Sequence, residues 1–153
     1  MVNNIKIAVS NLGDFGVRKN EDFVNGELRI ENGEWKMKEN VIKTKTYDFS
    51  LRIIRLFQYL GENKEYVLSK QVLRSGTSIG AMVEEAEQAE SKPDFIHKMG
   101  IANKEANETH YWIRLLRDSN YIKENDAESV LNDCDEIKKI IASIIKTSKE
   151  KLK

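Results

Sequence analysis

A single cysteine, a single proline and two histidines leave this 153-residue chain short of the residue types from which most catalytic and metal sites are built. Cys134 has no second cysteine with which to form an intrachain disulfide, and a Cys-rich zinc site is excluded, as expected for a reducing, cytoplasmic setting. No apolar run approaches the roughly 20 residues needed to span a bilayer, and the opening MVNNIKIAVSNLGDFG lacks the basic start and long apolar stretch of a signal peptide. Excess charge of one sign is missing too. Lys plus Arg and Asp plus Glu number 25 each, so no global field attracts a polyanion, and any nucleic-acid contact has to come from a local patch. The chain does hold 40% hydrophobic residues, enough to enclose one core and hardly two.

Glycine is unevenly spread, with Gly13, Gly16, Gly26 and Gly33 before Met37 and only Gly61, Gly76, Gly80 and Gly100 after it. The first regime is strand-like: IKIAV alternates, and GELRIENGEWKM sets Asn32-Gly33 between Leu28/Ile30 and Trp35/Met37, a strong hairpin signal. A lone hairpin is only marginally stable, so either the rest of the chain or another subunit would have to cover Trp35. Back-translation of Gly33-Glu34-Trp35-Lys36-Met37 with common codons places a GGAG string a few nucleotides before an ATG, the arrangement of a bacterial ribosome-binding site. Met37 therefore reads as the native initiator. On that reading residues 1–36 are an N-terminal extension, a leader left untranslated in the native gene, and residues 37–153 are the folded domain.

After Met37 helical periodicity takes over. In TYDFSLRIIRLFQYLG the apolar positions Tyr47, Leu51, Ile54, Phe57 or Gln58, and Leu60 recur at helical spacing, with Gly61 as a C-terminal stop. A second helix from about Ser69 to Glu90 aligns Val72, Ile79, Val83, Ala86 and Ala89. Ser91 to Asp94 reads as a capping box with Pro93 in the first turn, opening a third helix whose stripe is Phe95, Met99, Ala102, Ala106, Thr109, Ile113 and Leu116. Asn125 and Glu128 suggest another capping box before a fourth stripe of Val130 or Leu131, Cys134, Ile137, Ile141, and Ile144 or Ile145. Four such helices with short connections predict an all-α, antiparallel up-down four-helix bundle.

Ser75, Gly76, Ser78, Gly80 and Ala81 make a nearly side-chain-free patch inside the second helix, at a cost of roughly 1 kcal/mol per glycine relative to alanine. The patch predicts close approach by a neighbouring helix, with the one carrying Tyr111 and Trp112 as the expected neighbour. A phosphate loop is rejected because no strand precedes it and no Lys-Ser/Thr follows. A two-metal carboxylate site would draw on Glu84, Glu85, Glu105 and Glu108, but His97 and His110 supply no Glu-x-x-His pair, and Asp94-x-x-His97 is the nearest approximation. Glu84 or Glu85 is instead expected to pair with Arg52, Arg55 or Arg74. No cofactor, metal or catalytic residue is assigned. Beyond Ile137, Lys138, Lys139, Lys146, Lys149, Lys151 and Lys153 stand against Glu150 alone. Lysines there complement the helix dipole, and they are also the one place where phosphates could bind.

VLRSGTSIGAMVEEA, SKPDFIHKMGIANKEA and ETHYWIRLL together resemble the successive signatures of the four-helix bundle proteins encoded within intervening sequences of bacterial 23S ribosomal RNA genes. The resemblance runs from about Met37 to Leu152. It implies a bundle that assembles into a ring-like homopentamer. It also extends to the accessory protein of diversity-generating retroelements, which partners a reverse transcriptase and binds nucleic acid. Residue by residue, Arg74, Ser78 and Ile79 match an Arg-x-x-x-Ser-Ile element, Glu85 an acidic position, and Glu108, Trp112 and Leu115 a Glu-x-x-x-Trp-x-x-Leu element. They are carried over as architectural residues. Met82 is a departure, standing where relatives commonly have Asn, and the neutral net charge is another.

Three readings follow: a homo-oligomeric scaffold with itself as partner, a binder of RNA or DNA acting through Lys138, Lys139, Lys146 and Lys149 or beside a reverse transcriptase, and, far behind, a metal enzyme. Ile53, Leu56, Tyr59, Tyr111 and Trp112 are apolar positions beside the main stripes and favour self-association. The initiator reading is checked by intact mass and N-terminal peptide mapping of protein from the native host. The expected chain begins at Met37, and a peptide from upstream of it contradicts the reading.

Overall fold

The computed structural model describes residues 28–31, 34–37 and 41–151. Two four-residue strands, β1 (Leu28–Glu31) and β2 (Glu34–Met37), pair antiparallel with Leu28 opposite Met37 and Ile30 opposite Trp35. Asn32 and Gly33, where the sequence places a turn, lie outside the described residues. The rest is α1 (Val41–Glu62), α2 (Leu68–Glu87), α3 (Lys92–Asp118) and α4 (Glu124–Glu150), in the up-down bundle expected from the periodicity. The α2–α3 packing is the most extensive, followed by α1–α2 and α3–α4, while α1 and α4 close the bundle more sparsely.

Each helix buries residues at alternating spacings of three and four: Ile42, Thr46, Phe49, Ile53, Leu56 and Leu60 on α1, and Met99, Ala102, Ala106, Thr109, Ile113 and Leu116 on α3. Ala127, Val130, Cys134, Ile137, Ile141, Ile144 and Ser148 continue the pattern on α4. A mean repeat of about 3.5 residues keeps one seam facing the neighbours, as in coiled-coil packing. The α3 stripe follows expectation except that Phe95 is half-buried at its edge.

The α1 stripe does not. Tyr47, Leu51 and Ile54, expected inside, are exposed, and Ile53 and Leu56, expected as surplus surface, are core. The helix carries two apolar stripes on nearly opposite sides. The inner one is disguised by Thr46, whose hydroxyl donates to the Ile42 carbonyl at 2.8 Å and so satisfies itself on burial. Tyr59 and Trp112 pack against the core, whereas Tyr111 remains largely outside.

The ends differ from expectation in ways that local chemistry explains. Gly61 is not the stop, because α1 runs to Glu62 and the left-handed residue is Lys64, with φ 61°. Its N–H donates to the Gly61 carbonyl at 3.0 Å and the Glu65 N–H to the Leu60 carbonyl at 2.9 Å. The same pair of bonds, Asn120 to Arg117 and Tyr121 to Leu116, with Asn120 at φ 62°, closes α3. Both turns at this end of the bundle are therefore Schellman motifs made without glycine. Glu65 then turns its carboxylate onto the start of α2, accepting from the N–H groups of Val67 and Leu68 at 3.1 and 2.8 Å and from that of Ser69. Burial alone would raise its carboxyl pKa, but these backbone bonds outweigh burial and hold it below its ordinary value. At the other end Ser91 accepts from the Asp94 N–H at 3.2 Å, and Asp94 reaches back to the Glu90 N–H. The box predicted at Asn125 and Glu128 does not form: α4 starts at Glu124 after Lys123, which makes no side-chain cap, and Asn125 falls inside the first turn.

The two glycines of the small-residue patch on α2 are met by α1, not by the helix bearing Tyr111 and Trp112, which meets the patch only through Ser75. A Cβ on Gly76 would lie 2.7 Å from Cγ1 and 2.8 Å from Cγ2 of Ile53, and one on Gly80 would lie 3.3 Å from Ser50 Oγ. Ser75 points to the other side, where the Thr109 hydroxyl donates to its Oγ at 2.9 Å.

Gly76→Ala is expected to destabilise the bundle by about 1–3 kcal/mol despite its gain of roughly 1 kcal/mol in helix propensity, because Ile53 is fully buried and has nowhere to move. Gly80→Ala should stay within about 1 kcal/mol. The Gly76→Ala/Ile53→Ala double variant should cost less than the sum of its singles in urea unfolding, and additivity would contradict the interlock.

Candidate functional site

The family-type residues divide into three groups in space. Arg74 on α2 reaches across to α3, where it pairs with Glu105 at 3.3 Å and, more closely, with Glu108. Glu108 Oε1 also accepts from the Trp112 indole N–H at 3.1 Å, and the Trp112 ring meets Tyr111 edge-on with centroids 5.0 Å apart. Arg74, Glu108 and Trp112 thus form one network across the α2–α3 contact. Ile79 lies in the core, Leu115 is half-buried, and the Ser78 hydroxyl donates to the Arg74 carbonyl at 2.7 Å. Glu85 stands apart at the α2–α3 turn, 3.8 Å from Lys98.

The electrostatics of the network favour a clamp. The Arg74 guanidinium, then the Trp112 N–H, hold the Glu108 carboxyl below its ordinary range against the opposing effect of burial. Glu108 therefore stays ionised near neutrality and cannot act as a proton donor there. Glu84 and Glu85, expected to meet an arginine, do not. Glu84 pairs with Lys43 at 2.9 Å, as does Glu87 at 2.6 Å, and Arg52 is taken by Asp133 on α4. Arg52 also donates to the Ser129 hydroxyl at 3.0 Å, so this helix pair is joined by a polar link that sequence spacing did not reveal. Glu65, likewise missed, is signalled by an acidic residue four positions before Ser69, just ahead of a periodic apolar run.

An open hollow of about 660 Å³ at the α2–α3 turn is lined by Glu84, Glu85, Gln88, Glu90, Asp94 and Lys98. Its excess of carboxylates repels phosphates. Among the described residues no group of three or more His, Cys, Asp or Glu is placed to hold a metal ion. Cys134 is buried with its thiol donating to the Ala106 carbonyl at 3.3 Å, and burial pushes its pKa up to about 12, which removes thiolate reactivity. His110 sits 3.6 Å from Asp135, but burial lowers its pKa and outweighs the carboxylate, with Lys138 and Arg114 adding to the depression.

The lysines assigned to nucleic acid lie along α4. Lys138 is half-buried and paired with Asp135 at 3.3 Å, while Lys139, Lys146 and Lys149 are exposed. Met82 packs against the core, so this position is apolar here. No helix among the described residues is long and apolar enough to cross a membrane.

These features sit within a stretch that matches a family model: residues 38–143 fit the model described as 23S rRNA-intervening sequence protein. The chain belongs to that family. A solved structure of a protein with unknown function from the S23 ribosomal protein family of Bacteroides thetaiotaomicron is 55% identical, with a TM-score of 0.68 over 69% of this chain and 98% of that one. No curated protein matches. Neither the family description nor that relative indicates an enzymatic activity. In this intervening-sequence protein Arg74, Glu108 and Trp112, which the sequence resemblance singles out, form one network in the fold.

Because the folded-state pKa of Glu108 is depressed, its contribution to stability is fully present above the unfolded value of about 4.3 and is lost as pH falls through the lower folded value. Glu108→Gln should therefore flatten the acid limb of the stability–pH curve below about pH 4.5 while changing neutral stability by about 1 kcal/mol, since Arg74 is half exposed. Trp112 fluorescence in a Trp35→Phe background reports it. An unchanged acid limb contradicts the clamp.

Proposed function

We propose that this protein is a non-enzymatic, cytoplasmic, homo-oligomeric scaffold that presents helix surfaces to partners, the ring-like homopentamer implied by the family resemblance being its expected form. The observation that carries the reading is the apolar surface left outside the core: Tyr47, Leu51, Ile54, Tyr66, Val67, Tyr111 and Tyr121 are all substantially exposed. Scattered exposed apolar residues are ordinary, but three of these follow one another along a single helix face. The motif residues support the same reading, since Arg74, Glu108 and Trp112 bond to one another and Ile79 is core.

A second reading is favoured by the exposed lysines of α4. Lys139, Lys146 and Lys149 share an outer face that has no comparable run of acidic residues beyond Glu136, and such a face can bind phosphates by releasing counterions. The partner is then structured RNA, DNA, or a nucleic acid held by a reverse transcriptase.

Light scattering at micromolar concentration is expected to give a mass several times that of one chain, and a monomer contradicts the scaffold. Nucleic-acid binding, tested on structured ribosomal RNA and on duplex DNA, should weaken with salt at a log–log slope of about −0.7 to −0.9 per phosphate contacted, and weaken again on charge reversal at Lys138, Lys139, Lys146 and Lys149. Undetectable or salt-independent binding rejects the second reading.

A further inference from the structure

The C-terminal half of α4 carries an outer face of one sign. Lys139, Ala142, Lys146 and Lys149 recur at spacings of three and four and are all exposed, forming a cationic face about 15 Å long. Glu150 is the only acidic residue after Glu136. The open hollow at the α2–α3 turn has the opposite sign, lined by the carboxylates of Glu84, Glu85, Glu90 and Asp94 and the single ammonium of Lys98. Lys98 lies 3.8 Å from Glu85 and 3.6 Å from Asp94, and Lys43 reaches Glu84 only while also holding Glu87, so the hollow stays net negative.

Helix α1 measures the heights of the two surfaces. Lys43 pairs with Glu84 and Glu87 on α2, and Lys45 pairs with Glu136 on α4, so these three carboxylates are nearly level. Lys139 begins one turn past Glu136 and runs toward the same end of the bundle as the hollow. Helices α2 and α4 pack on α1 from different sides. The cationic face and the anionic hollow therefore share an end and a height but look out from different sides.

We infer that the lysine face of α4 in one copy docks on the carboxylate hollow of the next, head to tail, with the bundle axes parallel. This rests on the homo-oligomer reading and gives it a surface and a direction. A two-fold contact through either surface would set lysine against lysine or carboxylate against carboxylate, whereas a head-to-tail contact joins opposite charges. An open row leaves one cationic and one anionic surface unmatched at its ends, and closure into a ring, five chains included, matches them. Nucleic acid is the poorer occupant of the lysine face, because no arginine or aromatic residue follows Tyr121. The equal totals of acidic and basic residues in the chain suit pairing between copies.

The test uses the full chain, native mass spectrometry with light scattering for assembly, and circular dichroism to verify folding. Lys146→Glu/Lys149→Glu and Glu85→Lys/Glu90→Lys should each weaken self-association by about tenfold or more in Kd. The chain with all four reversals should regain wild-type association, because every contact again joins opposite charges. Raising salt from about 50 to about 500 mM should weaken the wild-type assembly in the same direction. A wild-type monomer at low salt overturns both this assignment and the scaffold reading. A wild-type oligomer unmoved by salt, or indifferent to either double reversal, overturns the contact alone. So does a fourfold variant that associates no better than the doubles. Loss of binding to structured RNA in Lys146→Glu/Lys149→Glu with the oligomer intact overturns it too, and gives the lysines to nucleic acid.

Discussion

The bundle depends on the seat that Gly76 makes for Ile53. Removing a side chain from the middle of α2 lets α1 approach until the branched carbons of Ile53 occupy the space of a missing Cβ. That depth fixes the rotation of α1 about its own axis, and with it which of the helix's two apolar stripes faces inward. Everything on α1 follows from this: Phe49 and Leu56 are drawn into the core with Ile53, Arg52 is carried to Asp133 on α4, and Lys43 to Glu84 and Glu87 on α2. Tyr47, Leu51 and Ile54 are turned to the outside by the same rotation.

The α2–α3 contact is held differently. Here the buried Ser75 and Thr109 hydroxyls bond to each other, and at the surface Arg74 gathers Glu105 and Glu108, with Trp112 closing over the second. Exposed ion pairs contribute little stability, so the network's value is directional: a planar guanidinium held by carboxylates one turn apart on α3 sets the register of the two helices. The residues that the sequence resemblance carries over as architectural include, in Arg74, Glu108 and Trp112, a device that sets this register. Met82, on the same helix as Arg74, adds apolar packing against the core.

Much of this was legible in the linear pattern. The α3 stripe from Met99 to Leu116 and the α4 stripe from Val130 to Ile144 were readable because apolar residues recur there at spacings of three and four, although the pairs Val130-Leu131 and Ile144-Ile145 left the inward member open. Ser91 and Pro93 marked the start of α3 for the same local reasons that form it. Helix α1 was misread because two stripes compete and the buried one includes a threonine, and periodicity cannot say which stripe has a glycine-lined groove waiting for it. The ion pairs of Glu84, Glu85 and Arg52 depend on which helices are neighbours and at what height, information that spacing along one helix does not hold. The left-handed turn at Lys64 was hidden because lysine gives no signal for that conformation, whereas Asn120 carries the weaker signal of an asparagine.

Cys134 sits at the level of Ala106 and His110, under the α3–α4 contact, with its thiol held protonated and bonded to a backbone carbonyl. An alkylating reagent needs a thiolate and a path to it, and the closed bundle provides neither. The rate at which this one thiol becomes modified is therefore a clock for separation of α3 from α4, running with no added probe. Because the exposed stripe on α1 is remote from that seam in sequence, the clock would register whether an event on the outer face of α1 is felt on the far side of the bundle.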